Sequence, residues 1–216
     1  MKKLFLGNIF VLIVLFANAQ NDAKAVAILD KLSKKMETIH TIYAEFNFNL
    51  ENLQDKISDK RAGHIWTKGN KYKIAMMHSE TYFDGKTIWT YLKESNEVTI
   101  NTPDEEDDET INPATIFTIY KKGFKIKFVQ DRFEMGHALY VIDLIPEKRD
   151  KPYSRIRLRI DKDKNQLFMF ERFDKDGNNY KITLNKVIFN KPMKDTDFVF
   201  NVKAHKGIEV TDLRDD

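Results

Sequence analysis

The sequence predicts a mainly β fold, an antiparallel sheet or barrel preceded by one helix. Two observations carry that prediction. The apolar period changes from 3.6 to 2 after Ile39, and the alternating runs that follow are separated by short polar turns. A single later stretch, 114–122, returns to a helical pattern.

The chain opens on a leader. Lys2 and Lys3 precede an apolar run from Leu4 to Phe16, and Ala17-Asn18-Ala19 supplies an A-x-A cleavage site. That run is too short to span a bilayer, which takes about 20 apolar residues. Residues 1–19 are therefore expected to be a signal peptide cleaved after Ala19, leaving 20–216 as one domain in the periplasm. The sequence has no cysteine, so a lipid anchor through Cys is not expected, and stability must come from a core. Without Lys2 and Lys3, the 36 Lys+Arg and 33 Asp+Glu become 34 against 33. So even a balance makes no electrostatic case for nucleic acid.

The first mature element is an amphipathic helix. Asn21 or Asp22 can cap it, and Val26, Ile28, Leu29, Leu32, Met36 and Ile39 recur at helical spacing. Then Ala44, Phe46, Phe48 and Leu50 alternate with Glu45, Asn47, Asn49 and Glu51, a half-buried strand. Tyr72, Ile74 and Met76 alternate with lysines. Further strands read over 87–92, 97–100, 124–130, 139–145, 153–160, 167–173, 179–189 and 198–202. Lys68-Gly69-Asn70, Asp84-Gly85, 93–96 and 174–178 are the turns. The series is interrupted by the acidic run Asp104 to Glu109 and by the short helix over 114–122. Asn112 caps that helix, Pro113 opens it, Ile116, Phe117 and Tyr120 form its apolar side, and Gly123 ends it.

Several strands are apolar on both faces: Ile88, Trp89, Tyr91 and Leu92; Leu139 to Ile142; Leu167 to Phe170. A one-sided sheet should be polar outside. Either a second layer covers that face, or it lines a ligand cavity. The 16 Phe and 7 Met suit both.

Signals for catalysis or metal binding are weak. The five histidines show no ligand spacing, and the five serines include no G-x-S-x-G elbow. Asp161-x-Asp163-x-Asn165 resembles the start of a calcium loop, but Gln166 stands where Gly is needed and Arg172 where the bidentate Glu is needed. It reads as a hairpin turn. A glycosidase's carboxylates are paired in space rather than in sequence, and nothing here selects a pair. No catalytic residue, metal ligand or cofactor is assigned. Arg155, Arg157 and Arg159 share one strand face, which is either a solvated surface or a docking patch for an acidic partner or lipid surface.

In this order the motifs resemble a known family. Ala62-Gly63-His64-Ile65-Trp66-Thr67-Lys68, then Phe83-Asp84-Gly85-Lys86-Thr87-Ile88-Trp89-Thr90-Tyr91, look like the periplasmic outer-membrane lipoprotein carriers of LolA type. Asn112-Pro113-Ala114, Asp176-Gly177-Asn178, Phe198-Val199-Phe200 and Gly207-Ile208-Glu209-Val210 continue the likeness. The resemblance implies an incomplete, half-open antiparallel β-barrel of roughly eleven strands, with the N-terminal helix and a central lid helix enclosing a hydrophobic cavity. It implies a non-enzymatic, monomeric chaperone that takes acylated lipoproteins from an inner-membrane ABC transporter to an outer-membrane acceptor where one exists. Leu29, Leu32, Met36, Phe46, Phe48, Trp66, Tyr72, Ile74, Met76, Trp89, Tyr91, Ile116, Phe117 and Tyr120 are the candidate cavity and lid residues. A register slip of one residue would invert the strand part of that set.

One departure stands out. Many members of the family follow the G-x-x-W-x-K strand with Arg-Pro, whose Arg latches the lid; this sequence has Lys68-Gly69-Asn70-Lys71-Tyr72. Lys68 lacks the guanidinium's planar fork of donors. A carrier of free lipid or glycolipid on the same fold, and a secreted carboxylate hydrolase, are the alternatives.

Overall fold

A computed structural model describes residues 22–103, 116, 119–121 and 123–214. The leader at 1–19, the cap candidate Asn21, the acidic run Asp104–Glu109, Asn112, Pro113 and Phe117 lie outside those residues. So does most of the expected central helix; Ile119–Lys121 of it form a 3-10 turn.

Helix α1 occupies residues 22–36. The strands are β1 (Thr41–Asn52), β2 (Ile57–Lys68), β3 (Lys71–Met76), β4 (Ser79–Phe83), β5 (Ile88–Leu92), β6 (Glu97–Asn101) and β7 (Phe124–Glu134). They continue as β8 (His137–Pro146), β9 (Tyr153–Asp161), β10 (Gln166–Asp174), β11 (Asn179–Phe189) and β12 (Glu209–Asp212). All form one 12-stranded sheet in the order β12-β6-β5-β4-β3-β2-β1-β11-β10-β9-β8-β7. β12 and β7 do not pair with each other, so the sheet is open, the expected half-open architecture. β12 joins β6 in parallel; every other pairing is antiparallel.

Three details differ from the sequence reading. Ser79–Phe83 and Glu209–Asp212 are strands that were not expected. Phe198–Val202 is not one: the chain there forms 3-10 turns at Asp195–Phe198 and Val202–Ala204. Its apolar residues alternate as in a strand, but they anchor a strap (190–208) that crosses the sheet instead of joining it. Phe198 is fully buried and Phe200 nearly so.

The turns follow local chemistry. Asp84 Oδ1 accepts from the backbone N–H groups of Lys86 (2.9 Å) and Thr87 (2.8 Å), while Gly85 takes the positive φ of 102° that an L side chain resists. The Asp-Gly-Lys motif is thus a device for the β4–β5 turn. Asp161 Oδ1 accepts from the backbone N–H groups of Asp163 and Lys164, so the segment resembling a calcium loop is the β9–β10 turn.

The inner face of the sheet holds the main core. Ala25, Ile28, Leu29 and Leu32 of α1 pack on Ile142, Leu144, Ile156, Leu158 and Ile160. Complete burial of Leu29 and Leu32 is worth about 1.5–3 kcal/mol each. Val26, expected in the stripe, is instead exposed. At the ends of α1, Lys24 pairs with Asp131 at 3.2 Å, and Lys35 donates to the Lys164 carbonyl at 2.7 Å. The helix therefore covers the β7–β10 half of the inner face and leaves the β1–β3 half to other groups.

Candidate functional site

Beside the helix, the inner face forms a cavity of about 140 Å³. β1 gives Ile42, Ala44 and Phe46; β2 gives Ile65 and Thr67; β3 gives Ile74. From the other side come Gln166, Leu167 and Phe170 of β10 and Ile182, Leu184, Val187 and Phe189 of β11, with Ile116 reaching over from the segment before β7. Among the described residues, Thr67 and Gln166 are the only polar side chains in that lining, and none is ionisable. Such a wall can take methylene and methyl groups, but it offers nothing to a charged headgroup.

Register explains the lining. Ala44 stands opposite Ile65 and Val187, and Ile65 opposite Ile74, so a single cross-strand row is apolar from β11 through β3. In β11 the inward residues change parity, from Ile182 and Leu184 to Val187 and Phe189. The cause is a bulge: Leu184 pairs with Phe46 and Lys186 with Glu45, leaving Asn185 as the extra residue. Gly63 of the G-x-x-W motif has a packing role here. A Cβ on it would lie 2.6 Å from Cζ of Phe46 and 3.0 Å from the Ala75 carbonyl oxygen. The Phe46 ring occupies the place of that missing side chain.

The candidate residues from the sequence divide into groups. Phe46, Ile74 and Ile116 line the cavity. Phe48, Tyr72 and Met76 share its face by register but stand beyond it, with Tyr72 packed on the Phe83 ring at 5.2 Å. Leu29 and Leu32 are core between α1 and β8–β10, and Met36 packs against that core. Tyr120 is buried and donates from its hydroxyl to Asp30 of α1 at 3.0 Å, tying the segment before β7 to the helix. Trp66, Trp89 and Tyr91 require correction. Ile65 and Thr67 point inward, so Trp66 between them faces out; Tyr82 pairs Trp89, and Phe200 stacks near Tyr91 at 4.9 Å, on that same outer side.

Lining residues that sequence reasoning missed are mostly in β10 and β11. The change of apolar parity across Asn185-Lys186 was a visible signal of the bulge. Gln166 carried no such signal.

The outer face is dominated by charge pairing and the strap. Arg157 makes a two-pronged contact with Asp143 at 2.7 and 2.8 Å, which raises the guanidinium's pKa above its usual value. Arg159 reaches Glu171 at 3.2 Å and Glu134 at 3.5 Å, and Arg155 lies 4.0 Å over the Phe173 ring. Two of the three arginines proposed for docking are thus neutralised within the sheet. Lys68, where the family's latch residue was sought, points to this face as well. Its ammonium holds Asp195 of the strap at 2.7 Å, with Lys71 on the same carboxylate at 3.1 Å; the hydrogen bonds from Lys68 and Lys71 keep that carboxyl's pKa below the usual range. It therefore clamps the strap.

Comparison with known proteins agrees with this architecture. A family model described as outer membrane lipoprotein carrier protein LolA matches residues 14–167. An outer-membrane lipoprotein carrier protein of Wigglesworthia glossinidia brevipalpis is 26% identical over 196 residues, covering 85% of each chain. One from Vibrio campbellii is 24% identical over 227 residues, covering 99% of this chain and all of that one. Among solved structures, an uncharacterized conserved protein from Thermus thermophilus superposes with a TM-score of 0.57 at 10% identity, over 88% of this chain and 99% of the other, a likeness of fold alone. With the family model spanning most of its length and an open sheet around an apolar recess, the chain belongs to the outer membrane lipoprotein carrier protein LolA family.

Proposed function

We propose that this protein is a periplasmic chaperone that shelters the acyl chains of lipoproteins in the inner-face cavity during transfer from the inner-membrane ABC transporter to the outer membrane. The observation that carries the reading is the lining itself, apolar among the described residues apart from Thr67 and Gln166. Each CH₂ moved into water costs about 0.8 kcal/mol, so acyl chains leave a membrane at a useful rate only if another apolar surface receives them. The reading assigns no catalytic step. A carboxylate hydrolase needs a carboxyl with a raised pKa; the perturbed carboxyls among the described residues, Glu80, Asp131, Asp161, Asp195 and Asp212, are all shifted down.

A release assay tests the proposal. The mature protein is incubated with spheroplasts bearing newly made lipoproteins, and the supernatant is probed for their complex with it. Release above a carrier-free control supports the reading. Absence of release, with only phospholipid or glycolipid recovered from the protein, would replace lipoprotein by free lipid as the cargo.

A further inference from the structure

The outer side of β1–β5 should be polar where water covers it. Instead register sets Tyr43, Trp66, Lys73, Tyr82 and Trp89 side by side across five neighbouring strands. The strap covers the far end of this row, with Phe200 against Tyr82 (5.5 Å) and Tyr91 (4.9 Å). Between the strap and the sheet lies a groove of about 480 Å³, floored by the rings of Trp66, Tyr82 and Phe200. Towards β1 the ring surface continues onto Tyr43, 5.4 Å from Trp66.

We propose that this groove is a second binding site, for a saccharide. Sugars present C–H faces to aromatic rings and hydroxyls, which both donate and accept, to their surroundings. The groove matches both features. Lys73, Lys191 and Thr196 bring donors to its wall, and Asp197 and Asn201 bring acceptors. His205 adds a further polar group: its Nδ1–H donates to the Asn201 carbonyl at 3.0 Å, and Nε2 is the ring's second polar atom.

Other ligand chemistries fit less well. An acyl chain would leave the polar wall desolvated without partners. A nucleic acid strand needs a net positive channel beside the rings. Here Lys73 is answered by Glu80 at 3.2 Å, and Asp197 stands in the wall. A proline-rich peptide suits an aromatic floor, but its free groups are mainly carbonyls, which cannot donate to the Asp197 carboxylate or the Asn201 side-chain oxygen in the wall. The site stands apart from the cargo cavity, because Trp66 and Lys73 face away from their inward neighbours Ile65 and Ile74. It therefore holds whichever lipid cargo the cavity takes.

The experiment is a titration of the mature protein with the N-acetylglucosamine trisaccharide and with maltotriose, followed by calorimetry and by tryptophan fluorescence. Saturable binding of either sugar with a Kd at or below about 1 mM is expected. Trp66→Ala should weaken it by about tenfold or more, and Asn201→Ala, at an exposed position that spares the core, should weaken it measurably while leaving the melting temperature in place. Binding unchanged in both variants would overturn the proposal. So would absence of saturation with either sugar, or saturation by a polyproline peptide alone, which would give the groove to a peptide.

Discussion

At Gly63 the absence of a side chain shapes the cavity. The Phe46 ring lies where a Cβ would be, and the Ala75 carbonyl closes the other side, so the cavity floor depends on a hydrogen atom at this position. Gly63→Ala must displace Phe46 or the β3 backbone. Overpacking of this kind costs about 1–3 kcal/mol, which a denaturant titration would register as a lower midpoint, and the displaced ring should lower the uptake of a fluorescent acyl probe. Glu80 makes a second prediction at this scale. Burial works against its charged form, but the Lys93 ammonium, the Tyr82 hydroxyl and the Lys73 ammonium outweigh it and bring the pKa from 4.5 down to about 2. A depressed folded pKa means the contribution is complete above the unfolded value and is lost as pH falls from about 4.5 towards 2. Melting temperature against pH should therefore fall less steeply over that window in Glu80→Gln than in the parent. Equal acid slopes would show that the cluster does not couple to folding.

Among the elements, α1 and the strap are attached by different means. α1 is held by buried Leu29 and Leu32, the strap by buried Phe198 and Phe200 together with an exposed clamp on Asp195. Leu29→Ala should cost about 2–5 kcal/mol and Phe198→Ala about 3–5 kcal/mol. Asp195→Asn should leave thermal stability nearly unchanged, because exposed ion pairs are screened by solvent. A loss from Asp195→Asn as large as that from Phe198→Ala would mean that charge, not burial, fixes the strap. The same elements show what was legible in the sequence. The alternation in β1 and β3 groups Phe46 with Ala44 and Phe48, and Ile74 with Tyr72 and Met76, while the pairing through β2 is what sets the two groups on one face. In β2 and β5 alternation does not separate the faces, because Ile65 and Trp66, and likewise Ile88 and Trp89, are adjacent apolar or aromatic residues and only pairing decides which is inward. Ile65 won over Trp66 because it is the residue opposite Ala44. Phe198 and Phe200 have strand spacing, yet they anchor a strap; alternation records which side is buried, not whether a neighbouring backbone is there to pair.

As a whole, the molecule is one open sheet whose two faces are specialised differently. The inner face carries the α1 core and an apolar recess beside it; the outer face carries paired charges, the strap and a groove walled by rings and polar groups. Successive residues of a strand serve opposite faces, so neighbouring positions can separate the two roles. On the proposed function, lipoprotein acyl chains occupy the inner recess. The most direct test of that placement is to put a photo-crosslinking amino acid at Ile182, which lines the recess, or at its neighbour Lys181, then irradiate cells and identify the adducts. Crosslinks to acylated lipoproteins from position 182, and not from 181, are the expected result. Lipoprotein adducts from 181 alone, or in equal yield from both, would contradict it and move cargo binding off the inner face.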